Sequence, residues 1–429
     1  MGLPFLGEAV SLMSDPEGFS QQRHYKHGAI FKTRVFGQSI IYVSGDEACH
    51  FVLDNENEYF QNKMLPNIEA LLGASSLTVQ TGQIHQDRRK LLRKVFSPVY
   101  LEEQITIIKE ITEAYFIRWA KLENFAWYPE LRKYTFDIAC KLLIGLDRAS
   151  ETELCNLYET WSQGLFSFSF PLPWTKLGRA LKSRQQILMY IEEIVNNRQL
   201  DNNLNKDALS LLLQAHDENG HSLSINEIKD QVLNLLSAGH GTLASSLSSF
   251  CLLSAQYPNI LQSCRIEQKK LLNTSNSISM ETLRQMGYLE SILKEVLRFI
   301  PPVGGGFRTV IEECRFDDYL FPKGWQVIYE INRTHKDPIL FNSPNVFEPK
   351  RFDLNNSANS KAYFPFGGGK RQCLGENLAR LEMKMFAAML INNCEWNLID
   401  GQNLQIQQFP FPHPSDNLKV YFRHSPKDV

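Results

Sequence analysis

Most apolar residues of this chain recur at three- and four-residue steps, the period of a helix with one buried face. Leu289, Ile292, Leu293, Val296, Leu297 and Ile300 make one such stripe, with Glu295 and Arg298 on the opposite face. Helical patterning also covers 85–96, 101–120 and 129–145. Another run, through Leu374, Leu378, Leu381, Met385 and Ala388, follows a glycine-rich loop. The longest candidate starts at Ser224, whose side chain can form a capping box with Glu227, and runs to about Gln256, ahead of Pro258. At 1.5 Å per residue it is roughly 50 Å long. From Val232 on it is apolar or small nearly all round, which predicts burial.

Period-two alternation is rarer. Residues 30–43 alternate around Phe36-Gly37-Gln38 and predict a hairpin. The stretch from Arg308 to Tyr329 alternates with turns at Asp317-Asp318 and Lys323-Gly324 and should supply a small sheet. Residues 57–82 are mixed, and 200–206 read as a polar surface loop. Phe166, Phe168 and Phe170 alternate just before Pro171 and Pro173, where aromatics either fill a core or line a ligand entrance. The fold class predicted is mainly α with a smaller β-sheet region.

Composition narrows this further. The 429 residues would suit two or three domains by length, yet no low-complexity linker divides them, so residues 1–429 are read as one domain. Hydrophobic content of 43% supports a sizeable core. A net charge of −2 gives no drive toward nucleic acid or a membrane surface. The eight cysteines have no regular spacing, which favours a reduced, cytoplasmic protein over a disulfide scaffold. No signal peptide, myristoylation pattern or membrane span is expected, and a soluble monomer is.

Inside the longest helix lies Ala238-Gly239-His240-Gly241-Thr242. Two mid-helix glycines cost on the order of 1 kcal/mol each relative to alanine. Either something approaches the backbone there or the helix opens. His240 reads as a packed polar residue, and Thr242 alone as a helix threonine bonding back to a carbonyl.

The chemistry concentrates at Phe366-Gly367-Gly368-Gly369-Lys370-Arg371-Gln372-Cys373-Leu374-Gly375. Cys373 stands where a loop meets a helix N-terminus, a setting that lowers a thiol's pKa and suits a nucleophile, a redox centre or a metal ligand. A phosphate loop is excluded, because Phe364 occupies the early glycine's place and Arg371 follows the lysine. A zinc site would want a second cysteine or histidine nearby, and none is present.

The pattern Phe-x-x-Gly-x-Arg-x-Cys-x-Gly, complete at Phe366, Gly369, Arg371, Cys373 and Gly375, resembles the haem-binding loop of the cytochrome P450 superfamily. The resemblance implies that Cys373 is the axial thiolate of haem b iron, that Arg371 pairs with a propionate and that Phe366 shields the proximal face. The glycines would let the loop approach the flat macrocycle. It extends along the chain in order. Thr242 matches the distal-helix threonine that bonds iron-bound dioxygen, with Ala238 and Gly239 before it, but Gly241 stands where the family carries an acid that helps deliver protons. Read alone, Glu295 and Arg298 are a solvated ion pair worth about 0.2–0.5 kcal/mol. With Arg351 in Pro349-Lys350-Arg351-Phe352 they resemble the family's structural triad. His85 and Arg89, four apart, and Arg308 match propionate-binding positions.

The likeness is nearest to the cyanobacterial family-120 cytochromes, relatives of the vertebrate retinoic-acid hydroxylases. It implies the P450 fold and monooxygenation of a long apolar substrate such as a retinoid. Phe166, Phe168, Ala238, Val303 and Phe411 would line the pocket by family position. Electrons would come from an external ferredoxin or flavoprotein reductase, for which Lys90, Lys370, Arg380 and Lys384 offer a basic docking face or plain solvated surface. Two alternatives stay open: a peroxide-using or hydroperoxide-rearranging enzyme, suggested by Gly241, and a non-catalytic haem or ligand-binding protein.

Overall fold

Phe36 and Gly37 both take positive φ, 49° and 79°, which turns Ile30–Val35 back onto Gln38–Val43 as the alternation predicts. This computed structural model describes residues 6–167, 170–201, 206–216, 220–275, 278–353 and 361–424. The chain clusters into two compact units, each built from two stretches: Met1–Lys63 with Leu297–Cys373, and Met64–Val296 with Leu374–Val429.

The first unit holds a five-stranded sheet. Its order is Ile30–Val35, Gln38–Val43, Gln326–Glu330, Gly305–Val310 and Phe60–Gln61. Only the pairing of Gln38–Val43 with Gln326–Glu330 is parallel. The helix Asp46–Asp54 packs on it, and Val43, Val52, Phe60 and Val327, all fully buried, form the core between them. The register sets Arg308 opposite Val327. The expected turns at Asp317 (φ 48°) and Gly324 (φ 86°) bound the small Cys314–Phe316 and Tyr319–Phe321 ribbon and the strand after it.

The second unit is helical. The long helix Ile225–Gln256 starts at a complete Ser224–Glu227 capping box and packs against Trp127–Ile144, Lys176–Asp201 and Glu376–Asn393. Its Val232–Ser254 stretch is buried except around Ser237–Gly239 and Thr242. Trp119, Trp127, Tyr134 and Phe386 are fully buried and meet edge-to-face or tilted, beside a sheet of Asn124–Ala126, Lys419–His424 and Cys394–Leu398. Aromatic pairs of this kind add about 0.5–1.5 kcal/mol each beyond area burial. Among the described residues no helix is long and apolar enough to cross a membrane.

The helix Gly287–Phe299 buries its apolar stripe as predicted. The solvated face does not exist, however: Glu295 and Arg298 are both fully buried. Periodicity sees only the apolar side, and this helix is enclosed on its charged side too. Residues 57–82, left without an element by pattern, hold the Phe60–Gln61 strand and the helix Pro66–Leu72. Most of the polar loop expected over 200–206 lies outside the described residues.

Candidate functional site: the cysteine loop and the long helix

The loop closes on itself before the last helix begins. The Cys373 amide donates to the Phe366 carbonyl at 2.9 Å, and the Gly367 amide to the Phe364 carbonyl at 2.9 Å. Cys373 sits two residues ahead of the N-cap Gly375 of Glu376–Asn393, so the helix starts slightly later than the pattern placed it. Gly369 has φ 60°, and a Cβ there would overlap the Leu53 carbonyl and lie 3.3 Å from the Asp54 Cα. This glycine is therefore required by the end of the Asp46–Asp54 helix, a different reason from approach to a macrocycle. Cys373 is the one exposed thiol of eight. Burial raises the pKa of every other cysteine, from Cys155 at the half-buried end to Cys140 and Cys251 at the deepest, which disfavours their thiolates.

Arg371 and Arg308 meet on a residue the sequence did not mark. Arg371 Nε donates to Glu56 Oε1 at 2.6 Å and Arg308 Nε to Glu56 Oε2 at 2.5 Å. The Asn62 amide donates to Oε1 at 3.2 Å, and Lys370 Nζ to the Glu56 carbonyl at 3.2 Å. Glu56 is fully buried, and the Arg308 guanidinium also lies 5.3 Å over the Tyr329 ring. Burial lowers the Arg371 pKa, and Glu56 opposes it. Two cations share one carboxylate.

In the second unit, the long helix stays unbroken through both glycines. Gly241 is seated against Phe411: an added Cβ would overlap the ring and lie 2.8 Å from its Cδ2. Phe411 is held in turn. Ser245 Oγ donates to the Pro412 carbonyl at 2.6 Å, His413 Nδ1 donates to the Phe411 carbonyl at 2.8 Å, and His413 stacks on Tyr128 at 4.0 Å. Gly239 is the opposite case, with open space where a Cβ would be. Ala238 and Gly239 are exposed in an otherwise buried stretch. Thr242 Oγ1 donates to the Ala238 carbonyl at 2.8 Å. His240 is packed as expected, bonded to Thr135 Oγ1 at 3.0 Å and set edge-on to Phe136 and Tyr158.

The other expected residues fall as follows. His85 is buried and Arg89 half-buried on the helix Gly82–Leu92. Arg298 donates to the carbonyls of His335 (2.8 Å) and Val346 (3.4 Å), and Arg351 to that same Val346 carbonyl (3.1 Å) and to Asn342 O (2.9 Å). Phe166 meets Phe411 edge-to-face at 6.0 Å and Phe409 at 5.0 Å. Val303 is exposed in the first unit, and Phe168 lies outside the described residues. The basic face is largely neutralised. Arg380 pairs with Glu376 and Glu290, Lys384 with Glu290 at 3.0 Å, and Lys90 approaches Asp87.

The sequence model of the family described as "Cytochrome P450" matches residues 1–422. The chain belongs to the cytochrome P450 family. It is 45% identical over 98% of its length to the putative cytochrome P450 120 of Synechocystis, covering 95% of that protein. It is 32% identical to cytochrome P450 26B1 of Xenopus tropicalis over 98% of this chain and 85% of the relative. Among solved structures, retinoic acid bound cyanobacterial CYP120A1 superposes with a TM-score of 0.92 at 44% identity, covering 99% of this chain and 98% of the other. This P450 therefore has the fold its loop implied, and it is a haem-thiolate monooxygenase with haem b as cofactor.

The residues present fit that cofactor. One exposed thiol closes the loop, and two arginines brought together beside it suit an anionic propionate. Glu56 and Ser245 escaped the sequence reading. Glu56 stands in Asp54-Asn55-Glu56-Asn57-Glu58, a polar run with no mark separating one acid from the next.

Proposed function

We propose that this P450 hydroxylates a long apolar substrate of the retinoid class, using Cys373 as the iron ligand. The observation that carries the substrate class is the likeness to the retinoic acid-bound cyanobacterial structure over nearly the whole chain. Phe166, Phe409 and Phe411 add an aromatic cluster against Gly241 that suits a polyene. Residues 1–429 are taken as one catalytic domain, in keeping with a family match running from 1 to 422.

When bound, haem b supplies dioxygen activation, with the thiolate pushing electron density toward the iron. The rest falls to side chains. Arg308 and Arg371, with His85 and Arg89, hold the propionates, and Phe366 shields the Cys373 sulfur from water. Glu295, Arg298 and Arg351 brace the loop's surroundings. Thr242 spends its hydroxyl proton on the Ala238 carbonyl, so its oxygen is left to accept from a water. Gly241 has no proton to give, and Phe411 fills the space an acid would use. Proton delivery thus runs through water beside Ala238, Gly239 and Thr242, and coupling of reductant to product is incomplete. Electrons come from a separate donor. Eight cysteines without a disulfide among them suit a reducing cytoplasm, where we take the protein to act as a monomer.

The same Gly241 favours one second reading, turnover driven by peroxide without a reductase. The experiment is a titration with retinoic acid followed by turnover in two arms. Low- to high-spin conversion and a hydroxylated product with donor and O₂ support the proposal. No spectral response to retinoids removes the substrate class, and product with peroxide alone favours the second reading.

A further inference from the structure

Glu56 is an expensive residue to keep. A fully buried carboxylate costs several kcal/mol in desolvation unless it is paired and hydrogen-bonded. Here both oxygens are used. Oε1 accepts from Arg371 Nε and the Asn62 amide, and Oε2 accepts from Arg308 Nε. Each arginine is gripped at the inner, Nε corner of its guanidinium. A guanidinium carries five donors in a rigid planar fork, so a bond at Nε constrains where the others point; in Arg308, Nη1 is also held, donating to the Phe307 carbonyl at 2.8 Å. The two arginines arrive from unrelated places, one from the strand Gly305–Val310 and one from the cysteine loop. A single carboxylate sets them in register.

Two further contacts tie this cluster to the loop. Lys370 donates to the Glu56 carbonyl, and Gly369 is fitted against Leu53 and Asp54, two to three residues earlier in the chain. The segment from Leu53 to Glu56 and the loop ending at Cys373 are thus seated on each other. A device for burying a lone ion pair would need one arginine. Here one carboxylate holds two, and both are the arginines assigned above to the haem propionates.

We propose that Glu56 is a positioning residue of the haem site: it holds the Arg308 and Arg371 guanidiniums by Nε and presents both to the haem propionates. The proposal rests on the haem-thiolate reading above and on the propionate roles assigned to the two arginines. Glu56 serves in two separable ways. Its reach sets the arginines' geometry, and its negative charge moderates the field they exert on the iron.

The test uses the holoprotein, with two readouts other than turnover: the rate of haem transfer to an excess of a haem-scavenging globin, and the iron midpoint potential. Glu56→Gln removes the charge and keeps the length. It should lose haem about tenfold faster, the equivalent of about 1.4 kcal/mol, and its potential should rise, because less negative charge near the iron favours the reduced state. Glu56→Asp keeps the charge but is one methylene too short to reach both arginines. It should lose haem faster with a potential close to wild type. Should the glutamine variant not fold, the aspartate variant decides alone. Haem retention unchanged or tighter in a folded variant, or an unmoved potential in Glu56→Gln, overturns the proposal. A merely structural glutamate would give both variants the same potential. If the variants keep a thiolate-type CO spectrum while haem loss is unchanged, the role of Glu56 fails and the haem-thiolate reading stands. If wild type itself lacks that spectrum, the earlier reading fails.

Discussion

Gly241 and Phe411 are fitted to each other: the backbone of the long helix lacks a Cβ where the Phe411 ring lies, and the ring closes the space an acid would occupy. A side chain at position 241 would therefore meet that ring. Restoring the acid alone should fail. Gly241→Glu is expected to cost about 1–3 kcal/mol through overpacking, read as a lower denaturant midpoint. Gly241→Glu with Phe411→Ala should recover most of that loss. The double variant should also leak less peroxide per reductant than Phe411→Ala. Additive stability effects, with no coupling between the two sites, would contradict the fit.

Arg298 is as buried as any described residue and feeds two carbonyls while lying 5.4 Å over the Phe341 ring. Removing it takes the donor from the His335 and Val346 carbonyls and empties a fully buried site. Arg298→Ala should cost on the order of 3 kcal/mol. Arg298→Lys should not rescue it, since an ammonium cannot reproduce a planar fork. Chemical denaturation of the purified variants checks both. A lysine variant as stable as wild type would show that charge alone matters.

Buried titratable groups give stability a pH dependence of two signs. Burial lowers the pKa of His240 to about 3 and of His335 to about 3. The unfolded chain takes up these protons near pH 6.5 and the folded chain does not, so stability falls as pH drops below about 6.5. At pH 5 each histidine should have cost about 2 kcal/mol. Burial raises the Glu382 pKa to about 8, so its cost grows as pH rises above 4.5 and is complete above about 8. His240→Gln should flatten the acid limb of a stability–pH curve and Glu382→Gln the alkaline limb. Limbs unchanged in both variants would show that these groups titrate alike folded and unfolded.

The elements were largely legible because periodicity and punctuation were strong. Ser224 with Glu227, Phe36-Gly37 and Pro258 marked their boundaries correctly. The cysteine loop was legible because it is contiguous. What pattern could not show was enclosure and reach. Glu295 and Arg298 looked solvated because an amphipathic stripe says nothing about what covers the other face. Glu56 meets Arg308 from 252 positions away, and the Phe411–Gly241 fit joins a late turn to a mid-chain helix, contacts that no local spacing encodes. Arg380 and Lys384 looked like a docking face because their partner Glu290 lies some ninety positions upstream.

The central claim is that Cys373 ligates the haem iron as a thiolate, and the reduced, CO-bound absorption spectrum tests it most directly. Wild type should show the red-shifted Soret band of a thiolate-ligated haem, and Cys373→His should move it to the position of a histidine-ligated haem. A wild-type Soret band already at the histidine position, or a thiolate-type band that survives in Cys373→His, would contradict it.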